Sequence, residues 1–336
     1  MPAAAEAGEW HGTVIDSRSR QAIADAVVTL GPSEATTDAK GQFAIEGDGE
    51  LLRVRARGYA RASVEEQDFR RDQPVALVPL QPKGLYLSVY GIGIDALRVP
   101  ALLVIAQAGM NSVVIDLKGD AGLIPYASAV GLAAGTGALK VRAVRNLAAT
   151  VAGLKAKGLY TIARIVVFKD TLLARAKPEW AIRTKKGALW RDREGLAWID
   201  PFHREAWDYS LGIAQEAAAA GFDEIQFDYL RFPDVSGLTF SLPSNQAARI
   251  ATITDYLREA RRRIQSYNVF LTIDVFGYVC WNLNDTAIGQ RLEDLAAVVD
   301  YISPMLYPSS FQFGIPGHRN PVAAPYDIVR ESLREQ

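Results

Sequence analysis

The sequence predicts a multidomain protein in which a small antiparallel β-sandwich is followed by a TIM-type (β/α) barrel. The 336 residues, 49% of them hydrophobic, suffice for about two domains with sizeable cores. Residues 9–80 contain short apolar runs separated by Gly, Asp, Ser and Pro, which is typical of a sandwich. Residues 84–336 instead alternate strand-like and helix-like segments, which indicates a parallel α/β domain.

The strands of the first segment can be followed along the chain. HGTVIDS, AVVTLG, LLRVRARGYA and QPVALVPL are strand-like, and TTDAKGQF predicts two strands joined by a turn from Asp38 to Gly41. The succession GTVIDSRSRQAIADAVVTL, TTDAKGQFAI and LRVRARGYA resembles the carboxypeptidase regulatory-like, transthyretin-like β-sandwich. That resemblance implies a module that accompanies an enzyme and rarely carries chemistry itself.

The second segment contains six strand-and-helix units, and its predicted helices include VRAVRNLAATVAGLKAKG and TAIGQRLEDLAAVV. Its strands are GLYLSVYGIG, NSVVIDLKG, LYTIARIVVF, DEIQFDYLRFP, VFLTIDVFGY and DYISPMLYPS. Gly109, Gly158 and Gly221 follow predicted helices, as residues at helix C-termini often do. A closed barrel needs about eight strands, so the last two are missing from this chain. Either the barrel is open or the chain is a fragment of a longer protein, and we favour the fragment.

Composition and motifs exclude several classes of function. A formal net charge of -1 favours neither nucleic acid nor an anionic membrane as partner, and no apolar run is long enough to span a bilayer. The three histidines form no HExxH pattern, so we expect no metal and no cofactor. Cys280 is expected to be a buried small hydrophobic residue. The Ala-rich opening MPAAAEAGEW lacks a signal peptide but resembles a mature N-terminus, so we expect a periplasmic or extracellular protein. No oligomeric state is predicted.

Three of the strands carry polar residues on one face near their carboxyl ends. Because side chains alternate along a strand, Gln226 and Asp228 should share a face, as should Thr272 with Asp274 and Asp116 with Lys118. Active sites of barrel enzymes lie at this end of the strands, so a polar cluster is expected there. The alternative is structural: Asp116 with Lys118, or Asp228 with Arg231, could form ion pairs at the barrel rim.

Two carboxylates that face one cleft from different strands suit glycoside hydrolysis. Asp228 and Asp274 are the predicted catalytic pair, and Asp274 would need a raised pKa, to which the charge of Asp116 could contribute. The predicted substrate-binding residues are Asp116, Lys118, Arg164, Trp190, Arg231 and Tyr307. Aromatic candidates for contacts with sugar rings also include Tyr90, Phe168, Trp198, Phe232, Tyr278 and Trp281.

The strings VVIDLKGDAG, ARIVVFKD, DEIQFDYLRFP, IDVFGY and ISPMLYPS resemble a glycosyl hydrolase family expected to share the amylase-like barrel. The resemblance implies that Asp228 occupies the nucleophile position after the fourth strand. After the fifth strand, where amylases carry a Glu acid/base, this chain has the shorter Asp274. The amylase Arg two residues before the nucleophile is replaced by Gln226, which leaves Lys118, Arg164 or Arg231 as charge partners.

These residues together predict an enzyme that hydrolyses O-glycosidic bonds in a poly- or oligosaccharide. The alternative is a noncatalytic polysaccharide-binding scaffold that uses the same cleft. The missing strands and the absent amylase-type Glu favour this alternative.

Overall fold

The computed structural model describes residues 8–334, and its first part consists of two β-sheets. The strands are β1 (Gly8–Asp16), β2 (Val27–Leu30), β3 (Ser33–Thr36), β4 (Gln42–Gly47), β5 (Leu51–Arg55), β6 (Ala62–Glu65) and β7 (Val75–Leu77). They form sheets with the orders β4-β1-β7 and β3-β2-β5-β6. Val14, Leu30 and Leu52, from both sheets, share one hydrophobic cluster, which is consistent with a β-sandwich. The kinship with the carboxypeptidase regulatory-like module stays a prediction.

The turn predicted from Asp38 to Gly41 joins β3 to β4. The Asp38 carboxylate accepts hydrogen bonds from the backbone N–H groups of Lys40 and Gln42, both at 2.8 Å. Gly41 has a φ of 72°, and a Cβ at this position would lie 2.4 Å from the Val14 carbonyl oxygen. Only glycine combines this backbone conformation with so close an approach.

The second part alternates strands and helices. Its elements are β8 (Gly84–Leu87), α1 (Asp95–Gln107), β9 (Ser112–Lys118), α2 (Gly131–Gly135), α3 (Leu147–Lys155), β10 (Tyr160–Val166), α4 (Thr171–Ala176), β11 (Arg183–Thr184), α5 (Arg204–Ala219), β12 (Glu224–Asp228), β13 (Leu238–Thr239), α6 (Gln246–Ile264), β14 (Phe270–Phe276), α7 (Leu292–Ala296), β15 (Tyr301–Met305) and α8 (Pro325–Arg334). No helix within residues 8–334 is long and apolar enough to cross a membrane.

Six of these strands form a parallel sheet in the order β15-β14-β12-β10-β9-β8. Spatial order follows chain order, as in a TIM-type barrel. The sheet curls into a half-barrel, so that residues from β8 and β15 line the same cleft. Its buried outer face carries apolar side chains such as Ile115, Phe227 and Ile273, which pack in one core with the helices.

The predicted helix ends are confirmed at three glycines, whereas two helices are shorter than predicted. Gly109, Gly158 and Gly221 have φ values of 60°, 76° and 96° just after α1, α3 and α5. The helix expected over VRAVRNLAATVAGLKAKG begins only at Leu147, because the Asn146 side chain caps it. The helix expected over TAIGQRLEDLAAVV is reduced to α7, because Thr286 and Ala287 adopt left-handed conformations.

The N-terminal sheets contact the amino ends of the barrel strands, opposite the carboxyl ends. The Arg61 guanidinium donates to the carbonyl oxygens of Phe222 (2.8 Å) and Asn268 (3.2 Å) and forms an ion pair with Asp223. In return, the Asn268 side chain donates to the Val27 and Arg53 carbonyl oxygens, both at 3.1 Å. These buried polar contacts fix the sheets to the base of the half-barrel.

Candidate active site

A cleft of about 760 Å³ opens at the carboxyl ends of the parallel strands. Five residues predicted for the site line it: Asp116, Arg164, Asp228, Asp274 and Tyr307. Tyr90, one of the aromatic candidates, also lines it, whereas Phe168 and Phe232 are buried in the core. The alternation of side chains therefore brings carboxylates from β9, β12 and β14 to one cavity.

Arg164, on β10, contacts three carboxylates in the cleft. Its Nη1 lies 2.7 Å from Asp116 Oδ1, and its Nε and Nη2 lie 2.9 and 2.5 Å from Asp228 Oδ2. Nη2 is also 3.3 Å from Asp120 Oδ1. Burial acts to lower the pKa of Arg164, but the negative charges of Asp228 and Asp116 outweigh this effect, so that the pKa is raised. Of the three charge partners left open for Asp228, the structure supplies Arg164.

Asp228, the last residue of β12, is held on both sides. Arg164 contacts its Oδ2, while its Oδ1 accepts a hydrogen bond of 2.6 Å from the backbone N–H of Tyr229. Tyr229 has a φ of 49°, an uncommon left-handed conformation for a residue other than glycine. Such strained backbone tends to persist where the surroundings fix a functional group.

Asp274, on β14, lies in the same cleft and has different polar partners from Asp228. Its side chain is only 7% exposed, and its Oδ1 accepts a 2.7 Å hydrogen bond from Gln226 Nε2. Burial, followed by the charge of Asp228, raises the pKa of Asp274 well above its usual range. The protonated acid is therefore favoured at Asp274, beside an ion-paired carboxylate at Asp228.

Asp116 has its own partners. Tyr86 Oη donates a 2.5 Å hydrogen bond to its Oδ2, and Arg164 contacts its other oxygen. Burial raises the pKa of Asp116, although Arg164 opposes that change. The charge expected from Asp116 on Asp274 is instead supplied by Asp228, because Asp116 is held on the far side of Arg164.

The expectation that Lys118 shares a face with Asp116 is wrong, because β9 contains a bulge. Asp116 pairs with Arg164 whereas Lys118 pairs with Ile165, which leaves Leu117 as an extra residue. One additional residue turns the following side chain to the other face. Lys118 Nζ is consequently fully buried, 2.8 Å from Asp170 Oδ2 and 2.6 Å from the Val166 carbonyl oxygen.

Trp190 and Arg231 lie outside the carboxylate cleft. Both line a second cavity of about 320 Å³, formed by the loops after β10 and β12. Arg231 is therefore not the partner of Asp228, and the rim ion pair considered between these two residues does not form. Arg231 Nη1 lies 3.8 Å from Asp234 Oδ1 instead.

Four further lining residues contact the predicted ones, and the sequence assigns them no role: Tyr86, Asp120, Gln226 and Ser303. For Gln226 the alternation predicts the correct face. Ser303 is the register partner of Asp274, and its Oγ accepts from Gln226 Nε2 at 3.3 Å. The same alternation, applied to GLYLSVY and YISPM, would have found Tyr86 and Ser303. Asp120 follows the strand in a loop, where alternation gives no signal.

Within residues 8–334, no group of three or more His, Cys, Asp and Glu side chains is arranged to hold a metal ion. The arrangement instead suits acid/base work. Two carboxyl groups in one cleft have different surroundings, one paired with a guanidinium and one buried beside an amide. Environments that separate the proton affinities of two carboxyl groups are characteristic of acid/base pairs.

Comparisons with known proteins identify a family and two similar structures. Residues 84–336 match the family model described as "Putative glycosyl hydrolase domain". The chain is similar to a hypothetical protein from Ruminiclostridium thermocellum, at 33% identity and a TM-score of 0.51, covering 57% of this chain and 97% of that one. It shares its fold with the PgaB (BpsB) glycoside hydrolase domain from Bordetella bronchiseptica, at 14% identity and a TM-score of 0.55, covering 76% and 81% of the two chains. A search of curated proteins finds no match.

Proposed function

The chain belongs to this glycosyl hydrolase family through residues 84–336, and on that premise we propose that it hydrolyses O-glycosidic bonds in a poly- or oligosaccharide. Asp228 and Asp274 are the two carboxylates of the reaction. The observation that carries the proposal is their difference within one cleft. Asp228 is paired with Arg164, whereas burial and the charge of Asp228 raise the pKa of Asp274.

The reaction follows from this difference. Asp274 donates its proton to the glycosidic oxygen while the bond from that oxygen to the anomeric carbon breaks, and the bonding electrons stay on the departing oxygen. Asp228 then either attacks the anomeric carbon or takes a proton from the water that attacks it. In the first case Asp274, now ionised, deprotonates the water that releases the sugar from Asp228.

The neighbouring residues position these two groups. Gln226 Nε2 holds Oδ1 of Asp274, which leaves Oδ2 to carry the proton. Arg164 forms an ion pair with Asp228 and fixes its position relative to Asp116. Tyr307 is 58% exposed, so its ring is available to pack against a sugar.

A noncatalytic polysaccharide-binding scaffold is the second candidate. Both oxygens of Asp228 already accept hydrogen bonds, from Arg164 and from the Tyr229 backbone, which would stabilise a static carboxylate. The acid position also carries an Asp rather than the longer Glu. In this case the cleft would bind glycan and leave every bond intact.

The proposal includes two domains, residues 9–80 and 84–336, in an exported protein, since many polysaccharides, such as those of cell walls and capsules, lie outside cells. The contacts between Arg61 and the barrel base give the first domain a structural role. The cellular fraction that contains the chain in its native host tests export. Recovery of the protein from the cytoplasm alone would contradict export.

The test is incubation with a panel of bacterial and plant polysaccharides in water enriched in oxygen-18. Hydrolysis predicts new reducing ends, each carrying one oxygen-18 atom in the mass spectrum of the products. Binding to a glycan without any new reducing end would favour the scaffold. Products without the heavy oxygen would contradict hydrolysis.

A further inference from the structure

The second cavity, of about 320 Å³, adjoins the carboxylate cleft. Tyr229, which lines it, directly follows Asp228 in the chain. Asp120 links the two spaces, because its Oδ1 is 3.3 Å from Arg164 Nη2 and its Oδ2 is 3.9 Å from Lys169 Nζ. A polymer with one unit in the cleft would therefore reach this cavity with a neighbouring unit.

Arg231 is the under-partnered cation of the cavity. Within residues 8–334, its guanidinium makes one hydrogen bond, from Nη1 to the Phe232 carbonyl oxygen at 3.1 Å. The nearest carboxylate oxygen, on Asp234, is 3.8 Å away. The side chain is only 14% exposed. Burial lowers the pKa of Arg231, and Asp234 offsets only part of that shift.

Aromatic rings fix the orientation of this guanidinium. Its carbon lies 5.1 Å from the centre of the Trp198 ring and 5.6 Å from that of Tyr229. Stacking of this kind leaves the edge of the guanidinium free to meet a carboxylate in its own plane. Trp190 is partly exposed and its ring centre is 6.1 Å from that of Trp198, so it offers an apolar face nearby.

Lys169, the other buried cation of the cavity, is not available to bind a further carboxylate. Its Nζ is 2.7 Å from Glu194 Oε2 and 3.4 Å from Asp192 Oδ2. The charge of Lys169 is thus compensated by close carboxylates, whereas that of Arg231 is compensated only in part, by Asp234 at 3.8 Å. The volume of about 320 Å³ lies at the lower end of the range of ligand pockets, about 300–1,000 Å³, and suits one sugar unit.

We propose that the second cavity is a subsite for an acidic sugar unit of the polymer, whose carboxylate is bound by Arg231 while its ring packs on Trp190. This inference rests on the proposed function and adds a substrate class to it, namely glycans that contain hexuronic acids. Planar, bidentate binding of a carboxylate is the interaction for which a stacked arginine is best suited.

The test measures binding separately from hydrolysis. Hexuronic acid oligosaccharides and the same oligosaccharides after reduction of their carboxyl groups are titrated calorimetrically into the D228N protein, which should not cleave them. We expect the acidic forms to bind at least about tenfold more tightly than the reduced forms, in line with a charge-assisted hydrogen bond. Arg231→Gln should remove this preference while leaving the affinity for the reduced forms unchanged.

Two further variants control the experiment. Lys186→Gln removes one positive charge from an exposed position in the connection after β10, outside the residues that line the cavity, and should preserve the preference. Arg231→Lys keeps the charge but lacks the planar fork, so it should restore the preference only in part. Equal affinities for acidic and reduced oligosaccharides, no binding of acidic forms, or an equal loss in Lys186→Gln would each overturn the proposal.

Failure of the subsite and failure of the proposed function are distinguishable. If the wild-type protein cleaves neutral glycans and shows no preference for acidic ones, the subsite is refuted and hydrolysis stands. If acidic oligosaccharides bind through Arg231 but no glycan is cleaved, the subsite stands and hydrolysis is refuted.

Discussion

Replacement of Asp274 by Asn tests the assignment of the general acid. Asn keeps the shape of the side chain and still offers an oxygen to Gln226 Nε2, which now lies 2.7 Å from Asp274 Oδ1. It has no proton to donate to the leaving oxygen. The variant should therefore fold like the wild-type protein and lose the acid step alone.

The expected loss follows from the role. A positioned general acid contributes about 10²–10⁴-fold to the rate, which corresponds to about 2.7–5.4 kcal/mol in the activation free energy. The upper part of this range is expected, because Asp274 is 7% exposed and water has poor access to replace it. An aryl glycoside whose leaving group is a weak base needs no proton, so the loss on such a substrate should be much smaller.

The assay compares kcat on a natural glycan with kcat on an activated aryl glycoside of the same sugar. Because the pKa of Asp274 is raised, wild-type kcat/KM should fall as the pH rises through that pKa, and Asp274→Asn should lack this decline. Asp208→Asn, an exposed carboxylate on α5, is the matched control. An equal loss on both substrates, or an unchanged pH profile, would refute the role of Asp274 as acid.

Three other changes give separate predictions. Gln226→Leu removes a hydrogen bond that lowers the pKa of Asp274, so the alkaline decline in kcat/KM should move to higher pH; a move to lower pH would contradict the account. Lys118→Met should leave the buried carboxylate of Asp170 without its ion-pair partner and reduce the free energy of unfolding in urea by about 3–5 kcal/mol. An unchanged urea midpoint together with lost activity would instead support a role for Lys118 in substrate binding. Burial would raise the pKa of Asp223, but the charges of Arg61 and Lys155 outweigh it and lower this pKa. The ionised Asp223 therefore stabilises the fold fully above about pH 4, and this stabilisation is lost as the pH falls through the folded-state pKa. Arg61→Ala should lower the thermal midpoint at neutral pH, and the midpoint of the variant should fall less than that of the wild type as the pH is lowered. Parallel curves of thermal midpoint against pH for the two proteins would contradict this.

The strand pattern was sufficient to predict the six parallel strands and to place Asp116, Asp228 and Asp274 at one end of them. Period-two alternation fixes which side chains share a face, so Asp228 and Asp274 could be placed together without a structure. Arg164 was one of three candidate charge partners of Asp228 and is the one that contacts it, although nothing in YTIARIV ranked it above Lys118. The choice between them depended on spatial proximity to Asp228 across β10 and β12.

The features that the sequence did not predict have physical causes that do not appear in its periodicity. The bulge at Leu117 inserts one residue into β9 and turns the Lys118 side chain to the other face, and the strand sequence SVVIDLK contains no glycine or proline to indicate it. Trp190 and Arg231 lie in the loops after β10 and β12, and the path of these loops is determined by tertiary contacts rather than by alternation. The contact between Asn268 and the N-terminal sheets joins residues more than 200 positions apart, which local patterns cannot indicate.

The most direct test of the central claim is reducing-end release by the wild-type chain and by its Asp228→Asn variant on the same glycan. The account predicts release by the wild type and its loss in the variant, with both proteins showing the same fold by circular dichroism. Equal release by both proteins would contradict the assignment of Asp228, and glycan binding without release by either would contradict hydrolysis itself.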